Sequence, residues 1–237
     1  MQVPSGQIFT QEDVELVRLL HIYKVVDWHE EPVTFQSGIC SHLYTSFRDE
    51  LTDYPSFEWL LGRKIANMVV ANTLPEDNQP CLIGIPAGGT ALAQAAAMVS
   101  VHEKILAATK KGDIPICHRV MREQTKAHGV HRSWVNGDPD VTRHTYWFVD
   151  NVVTDGKSKL DARDRLHESE YPAYSMPSLI VVDLQRGGVQ NMKMRGFPRI
   201  VVGYQILDIC FVLTKLGLWP AERFVALDYE ISTGVTI

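Results

Sequence analysis

At 237 residues, with 45% hydrophobic and 22% charged, the chain has the size and balance of one substantial globular core, which sets aside a disordered protein and makes two independent domains unnecessary. The formal net charge of −5 gives no global attraction for nucleic acid, so any anion site has to be built locally. No apolar run reaches the roughly 18 residues of a membrane span, and the amino terminus lacks a basic start followed by a long apolar stretch, so a cytoplasmic protein is expected. In chain order, apolar residues recurring at steps of three and four predict helices over Gln11–Tyr23 and Glu58–Asn72, separated by a turn-rich stretch from Glu31 to Pro55. From Pro80 onward short apolar runs alternate with helical ones. Cys81–Ile85 reads as a strand ending in Pro86-Ala87-Gly88-Gly89, followed by an Ala-rich helix from Thr90 to Val101. Tyr146–Val149 reads as a second strand, ending at Asp150 and followed by a helix from Lys157 to Ser169; Leu179–Asp183 reads as a third, closed by Gly187-Gly188. The segment Ile200–Leu216 reads as a strand running into an apolar helix that stops at Gly217, and the chain beyond it as short and partly exposed.

Unbroken apolar strands separated by helices predict an α/β fold, a mainly parallel sheet flanked by helices. Ligands of such sheets bind at the carboxyl ends of the strands, and all three ends here carry Gly, Asp or both. The four cysteines, Cys40, Cys81, Cys117 and Cys210, show no CxxC pair and no metal-ligand spacing, so neither a disulfide framework nor a zinc site is expected and all four are read as packing residues.

The most informative segment is Asp150-Asn151-Val152-Val153-Thr154-Asp155-Gly156-Lys157-Ser158. A strand that turns into a helix through these residues leaves unpaired backbone N–H groups at the helix start, with the hydroxyls of Thr154 and Ser158 beside them. Gly156 lets the backbone approach an anion closely, Asp155 and Lys157 flank it, and Asp150 and Asn151 can bond the vicinal hydroxyls of a sugar. An ordinary strand-to-helix turn capped by Asp or Thr would use the same residue types. The order of residues resembles the ribose-phosphate signature of type I phosphoribosyltransferases, except that Asn151 stands where a second acidic residue is usual. An amide there still bonds a ribose hydroxyl but removes one negative charge from beside a developing cationic sugar.

Two further segments agree with this. Gly84-Ile85-Pro86-Ala87-Gly88-Gly89-Thr90 resembles the pyrophosphate-binding loop of the same enzymes, orotate phosphoribosyltransferases in particular, with Ala87, Gly88 and Gly89 offering backbone N–H groups to the anion. Arg122-Glu123-Gln124-Thr125-Lys126-Ala127-His128-Gly129 resembles their mobile catalytic loop, with Glu123 at a position that is Lys in the family. Arg119, Arg122, Lys126, His128, His131 and Arg132 make this stretch cationic in an acidic protein. Its bland alternative is a solvated basic loop. Phe35-Gln36-Ser37-Gly38, followed by Ser41, Tyr44 and Arg48, is similar to the amino-terminal hood segment, with Gln36 in place of Lys. The third strand end reads Asp183-Leu184-Gln185-Arg186-Gly187-Gly188, where the family has Arg at the position of Leu184 to hold the orotate carboxylate.

The resemblance implies one phosphoribosyltransferase domain over 1–237, with a core of about 58–200 and a hood from 1–57 and 201–237. It implies phosphoribosyl pyrophosphate as co-substrate, Mg²⁺ held mainly through substrate and water with Asp150 nearby, and a homodimer without nucleic-acid or membrane partners. Arg122, Lys126 and His128 are the implied catalytic residues, Asp150–Ser158 with Ala87–Gly89 the phosphosugar site, and Phe35, Gln36, Leu184 and Arg186 the base site. Two functions stay open: transfer of a phosphoribosyl group to orotate or another base, and binding of the phosphosugar or a nucleotide without turnover, as in a regulator.

Overall fold

The apolar runs become adjacent strands of one parallel sheet. The computed structural model describes residues 1–34, 38–47, 53–124 and 134–236. Its elements in chain order are α1 (Gln11–Ile22), β1 (Val26–Thr34), β2 (Cys40–Thr45), α2 (Pro55–Ala71), β3 (Gln79–Gly84), α3 (Gly88–His102), β4 (Ala107–Thr109), β5 (Gly112–Ile114), β6 (Cys117–Val120), β7 (His144–Val153), α4 (Lys157–Glu168), β8 (Ser178–Asp183), α5 (Gly188–Met194), β9 (Ile200–Gln205), α6 (Ile206–Lys215) and α7 (Ala221–Thr233). The main sheet runs β6-β3-β7-β8-β9, every pairing parallel. No helix among the described residues is long and apolar enough to cross a membrane.

Alternation along the strands divides two apolar layers. Leu82, Trp147, Val149, Leu179 and Val181 face the layer shared with α1, α2, α3 and α6. Cys81, Ile83, Tyr146, Phe148 and Ile180 face the layer closed by α4 and α5. Trp147 and Phe148 are almost wholly buried on opposite faces, and each large side chain so covered contributes about 1.5–3 kcal/mol. Covering both faces is what lets these strands be continuously apolar.

The amino-terminal helix is tied down by polar groups. Thr10 and Asp13 form a capping box on α1, and Asp13 also accepts from Lys64 Nζ at 2.6 Å and from the Tyr204 hydroxyl at 2.8 Å, joining α1 to α2 and β9. Burial pushes the Asp13 carboxyl up, but the hydrogen bonds from Lys64, Thr10 and Tyr204 outweigh it and hold the group below the usual carboxylate range.

Several elements differ from the sequence reading. Overlapping the stretch read as turn-rich is the antiparallel β1–β2 hairpin, which starts at Val26 and buries only Val26, Ser41 and Leu43, too few apolar positions to show as a strand pattern. Helix α2 begins at Pro55 rather than Glu58, because proline suits the first helical position. The short β4 and β5 and the polar edge strand β6 gave no apolar signal, and α7, which buries only Leu227 and Glu230, extends beyond the point where the chain was expected to straggle. Cys81 and Cys210 are buried as expected of packing residues, whereas Cys40 is exposed.

Candidate phosphosugar site

The end of β7 is built on a buried ion pair. Asp150 is 6% exposed, with its Oδ2 2.7 Å from Lys159 Nζ and its Oδ1 accepting from Asn151 N–H at 2.8 Å. Lys159, in the first turn of α4, also donates to Val152 O and reaches Ser158 Oγ at 3.2 Å. A charge this buried needs such a partner, and the pair fixes the chain from Asp150 to the helix start. Lys159 was not anticipated: it lies one residue past the motif and reads there as an ordinary solvated helix lysine.

Beyond the pair the chain turns outward. Gly156 sits at φ +83° as the cap of α4, a backbone shape that suits glycine, and Asp155 Oδ1 accepts from Lys157 N–H at 3.0 Å. Thr154 and Asp155 are half-buried while Lys157 and Ser158 are exposed, so the positive end of a 12-residue helix opens to solvent among a hydroxyl, a lysine and backbone N–H groups. This arrangement suits a phosphate monoester.

The three strand ends are packed against one another at glycines. A Cβ at Gly88 would lie 2.2 Å from Asn151 Nδ2, and one at Gly188 would lie 2.5 Å from Thr154 O. Asn191 of α5 donates to Asp155 O at 2.8 Å. The loop Pro86–Gly89, whose Pro86–Ala87 peptide is cis, is therefore seated directly on Asn151, and the start of α5 braces the turn from Thr154 to Gly156. Ala87 is exposed at the crest of this loop and Gly89 is buried beneath it.

At the end of β8 the base-site expectations change. Leu184 was expected to face the acceptor, but it is 2% exposed, packs in the core and donates its N–H to Val153 O at 3.0 Å. An apolar side chain at that turn gains more from the core than from water. Gln185 follows at φ +56° and redirects the chain. Arg186 then points inward: it pairs with the Glu230 carboxylate of α7, donates to Glu230 O at 3.1 Å and to Ser41 Oγ at 3.2 Å, with both charged side chains almost fully buried. Asp183 is held above the usual carboxylate range by burial, with the Gln185 N–H opposing.

The loop resembling the catalytic lid springs from a closed stem. Met121 bridges Val135, and Arg122 N–H donates to Trp134 O at 2.7 Å. Trp134 is fastened to the far end of α4: its N–H donates to Ser169 Oγ at 2.9 Å, its indole Nε1 to Glu168 Oε2 at 2.8 Å, and Arg165 lies over its ring. Lys126, His128, His131 and Arg132 lie outside the described residues, as do Phe35, Gln36 and Arg48. Arg119, grouped above with the cationic loop, belongs elsewhere. It sits on β6, one residue before the strand's carboxyl end, and its side chain turns onto Tyr146 and Tyr171, bonded to Tyr171 Oη and Asp138 O.

The Mg²⁺ site expected near Asp150 is not supported by that residue's surroundings, because one carboxylate oxygen is taken by Lys159 and the other by Asn151 N–H. A shallow concavity lined by Phe9, Asp13, Lys64 and Met68 lies away from the strand ends and carries no anion-binding chemistry comparable to that of Thr154–Ser158.

The five-stranded parallel sheet flanked by helices matches the fold of solved phosphoribosyltransferases. Among solved structures, the UMP synthase of Leishmania donovani superposes with a TM-score of 0.69 at 18% identity over 92% of this chain, which spans 42% of that protein. The orotate phosphoribosyltransferase of Mycobacterium tuberculosis in complex with 5-phospho-α-D-ribosyl 1-diphosphate gives 0.56 at 18% identity, covering 84% of this chain and 99% of the other. In sequence, the chain is 27% identical over 207 residues to the orotate phosphoribosyltransferase of a Nostoc species, covering 86% of this chain and 91% of that protein. The resemblance to type I phosphoribosyltransferases, and among them to the orotate enzymes, is thus borne out. No family model matches the chain.

Proposed function

We propose that the protein is a pentosyltransferase that moves the phosphoribosyl group of phosphoribosyl pyrophosphate onto a ring nitrogen of a nucleobase and releases pyrophosphate. The observation that carries this reading is the cradle Thr154–Ser158, locked by the Asp150–Lys159 pair and joined through Asn151 to the Gly88 loop. One anion-binding piece alone would be an ordinary helix start. Two held in direct contact suit a ligand with a phosphate at one end and a pyrophosphate at the other. The C1–O bond to pyrophosphate breaks as the C1–N bond forms, and the nitrogen gives up its proton. Lys126 and His128, in the segment that joins Arg122 to Trp134, would neutralise and protonate the leaving group together with Arg122. Mg²⁺ would travel with the oxygens of the donor rather than sit on Asp150. A homodimer in the cytoplasm, and a hood formed by 1–57 and 201–237 over the remaining core, complete the proposal.

Orotate is the first acceptor to test, because the sequence relative is an orotate enzyme. A specific observation favours a second reading in which the acceptor has no carboxylate: Leu184 is in the core, and Arg186 is neutralised by Glu230. Incubation with phosphoribosyl pyrophosphate, Mg²⁺ and orotate, uracil or a purine base, followed by assay of pyrophosphate, decides among these. Release with orotate supports the first, and release only with an uncharged base supports the second. Binding of the phosphosugar with release from no base would leave a non-catalytic binder and defeat the enzyme. In the active case, Lys126→Ala lowers kcat about 10²-fold or more and weakens donor binding far less; equal losses would contradict its role on the leaving group.

A further inference from the structure

Near the amino ends of β6 and β7, away from the carboxyl edge of the sheet, parallel pairing brings together three soft ligands. Cys81 on β3 and Cys117 on β6 are directly paired in register, and His144 opens the neighbouring β7. Their ligand atoms all lie within 4.8 Å of one another, and Cys117 Sγ is 3.6 Å from His144 Nδ1. Bonds of about 2.3 Å from zinc to sulfur and about 2.0 Å to nitrogen, at tetrahedral angles, place S and N about 3.5 Å apart. Cys81 is fully buried, whereas Cys117 and His144 are half-buried, so the group has a solid floor and an open side. The expectation that these cysteines merely pack came from their separation along the chain. Strand register removes that separation.

We propose that Cys81, Cys117 and His144 form a three-ligand site for a thiophilic cation, with Zn²⁺ the fitting ion and a solvent molecule or further donor completing the tetrahedron. Two thiolates and a neutral imidazole cancel the ion's charge, so the metal itself adds no net charge to the half-buried pocket. The guanidinium of Arg119, anchored by Tyr171 and Asp138 O, lies beside the Cys81 thiol, where its N–H groups can support a metal-bound sulfur. The site is about 10 Å along β3 from Gly84, where the phosphosugar loop begins, and it faces the α4–α5 layer. Its role would be structural, pinning the edge strand β6 to β3 and β7, and the inference does not depend on the proposed activity.

The test uses untagged full-length protein carrying Cys40→Ser, which removes the exposed thiol. The protein is reduced, stripped of metal, and titrated with Co²⁺ as a spectroscopic substitute for Zn²⁺. Sulfur-to-cobalt charge-transfer absorption with tetrahedral visible bands, saturating at one equivalent and bleached by Zn²⁺, is the expected result. Cys117→Ala abolishes most of the charge-transfer intensity, and His144→Ala weakens binding at least about tenfold. Both positions are half-buried, so circular dichroism can verify that each variant is folded. Failure of the reduced protein to give the charge-transfer band overturns the site, including where a Cys81–Cys117 disulfide is found before reduction. A band that survives unchanged in both folded variants overturns it equally.

Discussion

The ends of β7 and β8 are neighbours in one sheet, yet they treat charge in opposite ways. At β7 the compensating lysine, Lys159, is underneath, holding Asp150, and the surface from Thr154 to Ser158 is left to face a ligand with backbone and hydroxyl groups. At β8 the cation of the turn, Arg186, is itself turned inward and spent on Glu230 and Ser41. A site made from backbone and glycine contacts changes little when nearby side chains drift. A site made from one long side chain can be re-aimed by a single new partner. The end of β7 therefore keeps an anion-binding backbone open, while the end of β8 has its cation neutralised.

The comparison is broken most forcefully at the buried pair. Lys159→Met leaves Asp150 without its counter-ion and should cost about 3–5 kcal/mol of stability, read from urea unfolding. A loss under about 1 kcal/mol would mean that the pair does not organise the β7 end. Next in size, Gly88→Val drives a side chain into Asn151, where even a Cβ would be 2.2 Å from Nδ2. Calorimetry should show phosphoribosyl pyrophosphate binding weakened by about 100-fold, with the melting temperature little changed if the damage is local.

Glu230→Gln sharpens the acceptor side. It retains a hydrogen-bond acceptor for Arg186 but frees its charge, so orotate at ten times its Kd should stabilise the variant by about 1.4 kcal/mol, a rise of a few degrees in Tm. The parent should show a smaller shift. If orotate stabilises both equally, the carboxylate is read by another group and the contrast between the two strand ends fails. The smallest effect belongs to Asp13, outside both ends. Its folded carboxyl is held below the ordinary value, so its contribution is complete above the unfolded pKa of about 3.9 and is lost as pH falls through the lower folded value. Asp13→Asn keeps a capping acceptor but loses the charge that faces Lys64, so it should cost about 1 kcal/mol at neutral pH, and the gap to the parent should close in acid unfolding curves below that window.

The nine residues from Asp150 to Ser158 were legible because their contacts are local: a strand end, a turn glycine and a helix start are adjacent in the chain. The same holds for the Gly84–Thr90 loop and for the three apolar strands. Legibility fails where direction depends on distant partners. Leu184 could be placed at the end of β8, but not in the core, because the left-handed backbone at Gln185 and the packing beneath it decide where it points. Arg186 meets Ser41 and Glu230, 145 and 44 residues away. Lys159 needed the helix to bring it under Asp150, and Cys81 and Cys117 needed the register of β3 on β6. Nor did the residues from Ser133 to Arg143 suggest more than a turn, although Trp134 proves to fasten the loop stem to α4.

Helix α4 has one end at the Thr154–Gly156 turn and the other at Trp134, with Lys159 buried near the first and Glu168 bonded at the second. Twelve helical residues make a strut about 18 Å long. Such a strut makes the two ends mechanically dependent: the foothold of the loop can shift as a rigid body only if the cradle shifts with it. A ligand bound at the Gly156 turn would therefore stiffen the foothold at Trp134, about 18 Å away.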